Sequence, residues 1–444
     1  MGKVIDIHEI GEIIRKLRKE RGLRLEDLAD SNISPATISN IERGVPHVNP
    51  EKTQYLLGKM NIETDKLPEL IMGEKRALEG MEFQFLAVDS LWGAGEFQKA
   101  LDKLQAINLD DPHPLAPDWY YYCGKCYLEL KNWRKAERSF YKGIQLATQN
   151  SVAQRDNIEA ACFLEIALCS YHQNDLVKAI QFSDSGIDAF NPEGGRTYLW
   201  PLLHRNKGVY LERLGRVAEG MKLVQEMWGL LPSMEQVDSV LGFYWLRAEF
   251  SRRMGMLEDA LKYAVEGLKL ARINEKYDSM FSSWTVLGGV YMARKEWDKA
   301  EEAFKTALSC EKRVTNQKRS IIMYNRLGRL YFQQGRLEEA KETIRTSIQY
   351  GENLNDAPHL VKSLLTMGEI HYSEGDREKS LLHYQRALDL ARKHGYRKLE
   401  NRVLYHLAQY WDEIDEKEFQ NCMRNMYKAQ EFLKFEEDVD HELD

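Results

Sequence analysis

A small residue returns about every 40 positions along most of this 444-residue chain, and that periodicity restricts the fold more than any other feature. The series is strictest at Ala260, Ala300, Ala340 and Ser380. It extends back, less evenly, through Gly220, Ala179, Ala136 and Ala100. Twelve residues ahead of each stands a partner position: Gly368, Gly328, Gly288, Ala248, Gly208, Ala167, Gly124 and, as the one larger member, Val88. The best-preserved unit reads Trp284, Leu287, Gly288, Tyr291, Ala300, Phe304, Ala307. A helix, a tight turn and a second helix fit that interval, with the small residues letting two helix backbones approach closely. Hairpins of this kind bury their apolar faces only against their neighbours, so they stack into a solenoid with a long concave side.

The pattern resembles the tetratricopeptide repeat, whose usual period is about 34 residues. Six extra residues add nearly two helical turns per hairpin, since a turn takes about 3.6 residues, and longer helices make a deeper groove. About nine units are expected over 81–435. In the last, Ala408 is the first small residue and Gln420 stands where alanine is expected, a polar cap for the final apolar face. Residues 66–80 read as a linker helix, and the acid-rich 436–444 as a frayed tail. The Trp residues of the repeats read mainly as packing residues.

Composition narrows the function classes. No stretch approaches the roughly 20 apolar residues that span a bilayer, and the N-terminus lacks the apolar core of an export signal. A cytoplasmic protein without a membrane partner is expected. Six cysteines are too few for a disulfide scaffold, and the single CxxC, Cys123 and Cys126, has no second pair to complete a metal site. Neither a phosphate-cradling glycine loop nor a zincin motif occurs. No enzyme activity, cofactor or metal is expected.

The net charge is −7, so the chain is not a general polyanion binder. Residues 1–65 are nearly neutral, yet Arg15, Lys16, Arg18, Lys19, Arg21 and Arg24 crowd into ten positions against Glu20 alone. Ile10, Ile13, Ile14 and Leu17 follow helical spacing up to Gly22, and Leu25, Leu28 and Ala29 mark a short second helix. Ser34-Pro35 is an N-cap followed by proline at the first helical position, opening a third helix that Gly44 ends. Pro50 opens a fourth. The stretches IRKLRKERGL, LEDLA and SPATISNIERG resemble the Cro/repressor-type helix-turn-helix domain. That resemblance implies binding to double-stranded operator DNA, with the third helix in the major groove. Carried over by position, Ser34, Ala36, Thr37, Ser39 and Asn40 would face the groove, and Arg15, Arg18 and Arg43 would hold phosphates. Asn40 can pair with an adenine edge. Leu25 stands where the family usually has glutamine, and the connection from Ala29 to Ser34 is a residue shorter than usual.

The fold class expected is therefore all-α: an N-terminal helix-turn-helix domain, then a right-handed superhelical tetratricopeptide solenoid. This combination resembles the RRNPP family of peptide receptors of Gram-positive bacteria. The resemblance implies a homodimer or higher oligomer that binds a short re-imported signalling peptide in its groove and changes its hold on DNA. Inward positions lie on each first helix, three before the small residue, one after it, and four or five after. They select Arg205, Asn206, Trp245, Arg252, Asn325, Arg329, Gln333, Glu369, Tyr372 and Gln409. Amides there suit a peptide backbone, and Arg205, Arg252 and Arg329 suit a carboxylate. Two alternatives stand beside this reading: repeats that also sequester a response regulator, and a regulator with a non-peptide effector. A phosphatase reading rests on Gln84 alone.

Overall fold

The structure, a computed structural model, describes residues 7–45, 47–107, 109–111, 113–149, 156–412 and 414–441. The first six residues of the expected N-terminal domain and the last three of the expected acidic tail lie outside the described residues. Every regular element among the described residues is a helix. The chain divides into two compact units, 1–109 and 110–444.

The first unit begins with four short helices: α1 (Ile7–Glu20), α2 (Leu25–Leu28), α3 (Pro35–Glu42) and α4 (Pro50–Lys59). Gly22, at φ +67°, ends α1 in the left-handed region that glycine enters without strain. The hydroxyl of Ser34 accepts from the Thr37 N–H at 3.1 Å and caps α3. Asn49 caps α4 in the same way through the Glu51 N–H, 2.9 Å away. Ile13, Ile14, Leu28, Ile38, Ile41, Leu56 and Leu57 form the core. One contact sets the crossing of α1 and α3: a methyl group on Gly11 would stand 2.3 Å from the carbonyl oxygen of Ile41.

Residues 66–80 do not form a separate segment. They open a continuous helix, α5 (Leu67–Gly93), which pairs with α6 (Phe97–Ile107). Its first turns belong to the N-terminal core, where Leu67 and Ile71 are buried, and Lys75 reaches Glu9 at 2.5 Å. Gly73 and Gly80 lie inside this helix with open space where a side chain would go. Glycine inside a helix costs only about 1 kcal/mol relative to alanine, less than this packing supplies.

The described residues of the second unit form a run of eight hairpins. In order they are α7 (Ala116–Glu129) with α8 (Trp133–Ala147), α9 (Ile158–His172) with α10 (Leu176–Asp188), and α11 (Leu199–Leu214) with α12 (Val217–Trp228). Then come α13 (Val237–Arg253) with α14 (Leu257–Ile273), α15 (Tyr277–Ala293) with α16 (Trp297–Cys310), and α17 (Lys318–Gln333) with α18 (Leu337–Asn353). The last two are α19 (Ala357–Ser373) with α20 (Arg377–Lys393), and α21 (Arg397–Trp411) with α22 (Glu416–His441). The final helix continues through residue 441, so the described part of the expected tail is helical.

Small residues do here what the periodicity implies. Ala136, Ala179, Ala260, Ala300, Ala340 and Ser380 are fully buried. Four first-helix glycines receive a bulky side chain from sixteen residues later: Phe140 on Gly124, Phe304 on Gly288, Ile344 on Gly328 and Tyr384 on Gly368, while Gly208 receives Leu246 from the next hairpin. A methyl group at any of these glycines would approach that side chain to 2.4–2.6 Å. Seven residues after the small position, the turn takes a left-handed residue, Gly335 at φ +75° in one hairpin and Lys295 at φ +60° in another. Cys123 and Cys126 pack beside Gly124, and burial raises both thiols, Cys126 to about 11. No cluster of metal-ligating side chains occurs among the described residues.

First helices pack on first helices as well as on their own partners: α9 on α11, α11 on α13, α13 on α15, and so on to α19 on α21. They thus make the inner layer. The stack also returns on itself. Asn174, in the α9–α10 turn, donates to the Asn355 carbonyl at 2.9 Å and accepts from the Ala357 N–H at 3.1 Å. The Tyr396 hydroxyl donates to the Asn174 carbonyl at 2.9 Å.

Candidate functional site

Two surfaces hold the expected site residues, one in each unit. In the first unit, Ala36 is exposed and Thr37, Ser39 and Asn40 are half-buried along α3. The hydroxyls of Ser34 and Thr37 lie 2.9 Å apart at its start. Arg43 is exposed and donates to the Asn40 side-chain oxygen at 2.6 Å, so the Asn40 amide expected to meet a base is held at the end of its own helix. Arg15 is exposed.

Arg18 departs from the expectation of a phosphate anchor. Its guanidinium grips Glu42 through Nε at 2.6 Å and Nη2 at 2.9 Å, and Nη1 donates to the Leu23 carbonyl at 2.8 Å. The hydrogen bond to Glu42 raises the Arg18 pKa against the opposing effect of burial. Arg18 ties α1 to α3 and has little left for DNA. Spacing cannot reveal this, because the partner lies 24 residues away.

In the second unit, the inner layer carries an unusual concentration of charge. Glu249, 1% exposed, accepts from three arginines: Arg252 at 2.7 Å, Arg253 at 2.9 Å and Arg326 at 2.7 Å. Burial alone would raise its carboxyl; Arg252, Arg326 and Arg253 outweigh that and hold it well below the usual range. Arg253 also pairs with buried Glu212 and donates to that residue's carbonyl at 2.9 Å. The arginine stems lie low because the next first helix is bare: a methyl group on Gly289 would meet Arg252 Cδ at 3.1 Å.

A second cluster joins elements 143 residues apart. Arg213 Nη1 reaches Asp356 Oδ2 at 2.6 Å, and His359 Nδ1 lies 2.8 Å from the other carboxylate oxygen. The Arg213 guanidinium also sits 4.9 Å from the Tyr171 ring centre. Burial would raise the Asp356 carboxyl, but Arg213 and His359 hold it well below the ordinary value. Burial lowers His359 to about 4, against the pull of Asp356. This pair stands beside the turn contacts of Asn174 and Tyr396 and closes the same gap.

The structure divides the ten residues selected from spacing. Arg252 is engaged by Glu249, and Arg329 lies 3.7 Å from Glu369, which also meets His406 at 3.2 Å. Neither arginine is the open carboxylate receptor expected of it. Asn325 reaches Ser363 and Thr366, both at 3.4 Å, bridging α17 to α19. The Tyr372 hydroxyl donates to the Gln409 carbonyl at 3.4 Å, and Gln409 donates to the Tyr405 hydroxyl at 3.0 Å. Gln333 is exposed, and Trp245 is half-buried against the core. Among the described residues, Arg205 has only the side chain of Asn206, itself buried, accepting at 2.9 Å.

The same spacing also reaches Glu212, Arg213, Glu249 and Arg253, which matter most to the ionic clusters yet were not selected. Lys318, Arg319, Arg326 and Lys362 fall outside it. No local signal marks these four, since their role depends on neighbours from other hairpins.

Sequence comparison places a helix-turn-helix family match on residues 14–67 and tetratricopeptide repeat matches on 85–151 and 319–393. The chain therefore joins a helix-turn-helix module to tetratricopeptide repeats, and the matched families are binding modules rather than catalytic domains. Among curated proteins, none matches it in sequence. Solved structures share its fold at low identity. A Rap protein complexed with competence and sporulation factor is 14% identical at a TM-score of 0.58, covering 80% of this chain and 99% of its own. The apo form of the quorum sensor NprR from B. thuringiensis is 14% identical at 0.52, covering 86% and 97%. NprR in complex with its cognate peptide NprX is 13% identical at 0.51, covering 68% and 88%. No helix among the described residues is long and apolar enough to cross a membrane.

Proposed function

We propose that this chain is a cytosolic transcription regulator of the RRNPP kind, in which a short signalling peptide held by the repeats controls operator binding by the N-terminal module. The observation that carries this reading is the pairing of an exposed helix-turn-helix surface with an inner layer of first helices dense in hydrogen-bonding and charged groups. Of the proteins sharing this fold, NprR was solved with its cognate peptide NprX and a Rap protein with competence and sporulation factor.

The mechanism is linkage. A peptide that binds one arrangement of a homodimer more tightly shifts the population toward it, and no further than its differential affinity allows. A two-fold dimer would require an operator with inverted half-sites, their spacing set by the separation of the two reading heads.

The test is to select duplexes from a randomised pool with the full chain. Anisotropy of the winning duplex is then followed as peptides copurified from the native cells are added. A site with inverted half-sites and an affinity that shifts with peptide supports the reading. Loss of all sequence preference, or a duplex affinity indifferent to every copurified peptide, contradicts it.

A further inference from the structure

Four cations on the inner layer of the second unit have no carboxylate within ion-pair distance among the described residues: Arg205, Lys318, Arg319 and Lys362. Buried ions are normally paired, because desolvating a charge without a partner is expensive. Arg213, Arg252, Arg253 and Arg326 obey that rule through Glu249, Glu212 and Asp356, and Arg247, which also lacks a carboxylate among the described residues, lies over the Trp228 and Tyr263 rings at 4.0 and 4.2 Å. The exceptions therefore call for a reason, and composition does not supply one in a chain of net charge −7.

The exceptions are held in place. The stem of Arg205 lies across α13, where a methyl group on Gly242 would stand 2.5 Å from its Cδ. The Arg319 guanidinium donates through Nη1 to the Ser282 hydroxyl and to the Asp278 carbonyl, the latter at 2.9 Å, while its buried Nε has no acceptor. The nearest acids are already engaged. Asp238 holds Lys276 at 2.8 Å, and the Asp278 carboxylate accepts the Thr315 N–H at 3.0 Å and the Asn316 N–H at 3.2 Å. Tyr210, 2% exposed, has a hydroxyl with no hydrogen-bond partner among the described residues, and the charged and polar groups acting on it are Tyr171, Arg205, Glu165 and Arg213. Tyrosine hydroxyls this deeply buried usually find one. Lys318 stacks its ammonium 4.5 Å from the Tyr171 ring centre.

We infer that Arg205, Arg319 and the Tyr210 hydroxyl form a receptor for one carboxylate, with Lys318 and Lys362 adding positive charge to the same layer. The groove ligand is then an acidic peptide that presents a carboxylate to this receptor. This rests on the peptide reading above and goes further by fixing the ligand's charge. Burial pushes both lysines down to about 8 and lowers Arg205 and Arg319 for the same reason, so a carboxylate beside them offsets the cost of their burial. A guanidinium fork and a buried hydroxyl suit the planar carboxylate.

The experiment uses the full chain and three pools of fluorescein-labelled heptapeptides of net charge −3, 0 and +3. The acidic pool is expected to bind at least tenfold more tightly than the others at 0.1 M salt, with the margin shrinking at 0.5 M. Arg205→Gln with Arg319→Gln should abolish that margin while leaving the melting temperature level or higher, because two half-buried cations without ion-pair partners have been removed. If that variant does not fold, Lys318→Gln and Lys362→Gln are read in its place. Equal binding of all pools, or an acidic preference that survives both variants, overturns the inference and leaves the peptide reading standing. Inorganic tripolyphosphate binding as tightly as the acidic pool, through the same residues, also overturns it. Failure of every pool to bind overturns the peptide reading itself.

Discussion

The N-terminal module and the repeat stack treat their basic residues in opposite ways. Around α1 and α3 most cations face water: Arg15, Lys16, Lys19, Arg21, Arg24 and Arg43 are all exposed. In the stack, Arg213 is 8% exposed and Arg319, Arg326 and Lys362 are half-buried in the inner layer. Exposed cations interact weakly and are screened by salt, which suits a module that meets a phosphate backbone. Enclosed cations interact strongly and must be matched by a partner in place or by one that arrives. Arg18, half-buried between α1 and α3, and the four in the stack are therefore the informative residues.

That contrast predicts a ranked set of effects. The largest belongs to the Arg213–Asp356 pair. Arg213→Ala leaves a buried carboxylate unpaired and should cost about 3–5 kcal/mol in urea unfolding. Arg15→Ala should cost almost nothing. Comparable losses for both would erase the distinction.

Next come the close approaches. Gly11→Ala and Gly288→Ala each force a methyl group into occupied space, against the Ile41 carbonyl and the Phe304 ring respectively. Each should cost about 1–3 kcal/mol. Only Gly11→Ala should also weaken DNA binding in an anisotropy titration, since it displaces α3 in the reading module itself.

A pH-dependent effect follows from His359, held at about 4 by burial in the folded chain against about 6.5 in the unfolded one. A folded-state value below the unfolded one favours the neutral form. Its contribution to stability is thus complete above about pH 6.5 and is lost as the pH falls toward 4. Glu165 and Asp118, raised by burial to about 7 and about 6, act in the opposite sense. The readout is therefore the difference between wild type and His359→Gln. The wild type should lose more stability between pH 7.5 and pH 5, and parallel curves would refute the assignment.

The smallest effect distinguishes two arginines three residues apart. Arg15→Ala should reduce the slope of log affinity against log salt by about 1 and weaken all duplexes alike. Arg18→Ala should instead destabilise the module, leaving Glu42 buried without its partner, with the slope little changed.

Much of the scaffold was legible in the sequence because the relevant distances are short along the chain. The twelve-residue interval from Gly288 to Ala300 fixes one hairpin, and Ser34-Pro35 marks the start of α3. The extent of α5 was less legible. Gly73 and Gly80 suggest a separate linker, yet Leu67 and Ile71 anchor that helix in the core. The inner face was legible only in outline. Spacing pointed to first helices and to Arg205, but whether an arginine is open or spent depends on Glu249, Asp356 or Glu369, up to 143 residues away. Lys318 and Arg319 lie in the first turn of α17, where no repeat position singles them out.

The central claim is that the occupant of the repeats and the duplex on the reading module influence one another. Linkage makes the test strict, because the factor by which peptide changes duplex affinity must equal the factor by which duplex changes peptide affinity. Both are measurable by anisotropy on the full chain, with the label first on DNA and then on an acidic heptapeptide. Equal factors, each well removed from one, are predicted. Two factors of one, with both ligands bound, would contradict the coupling outright.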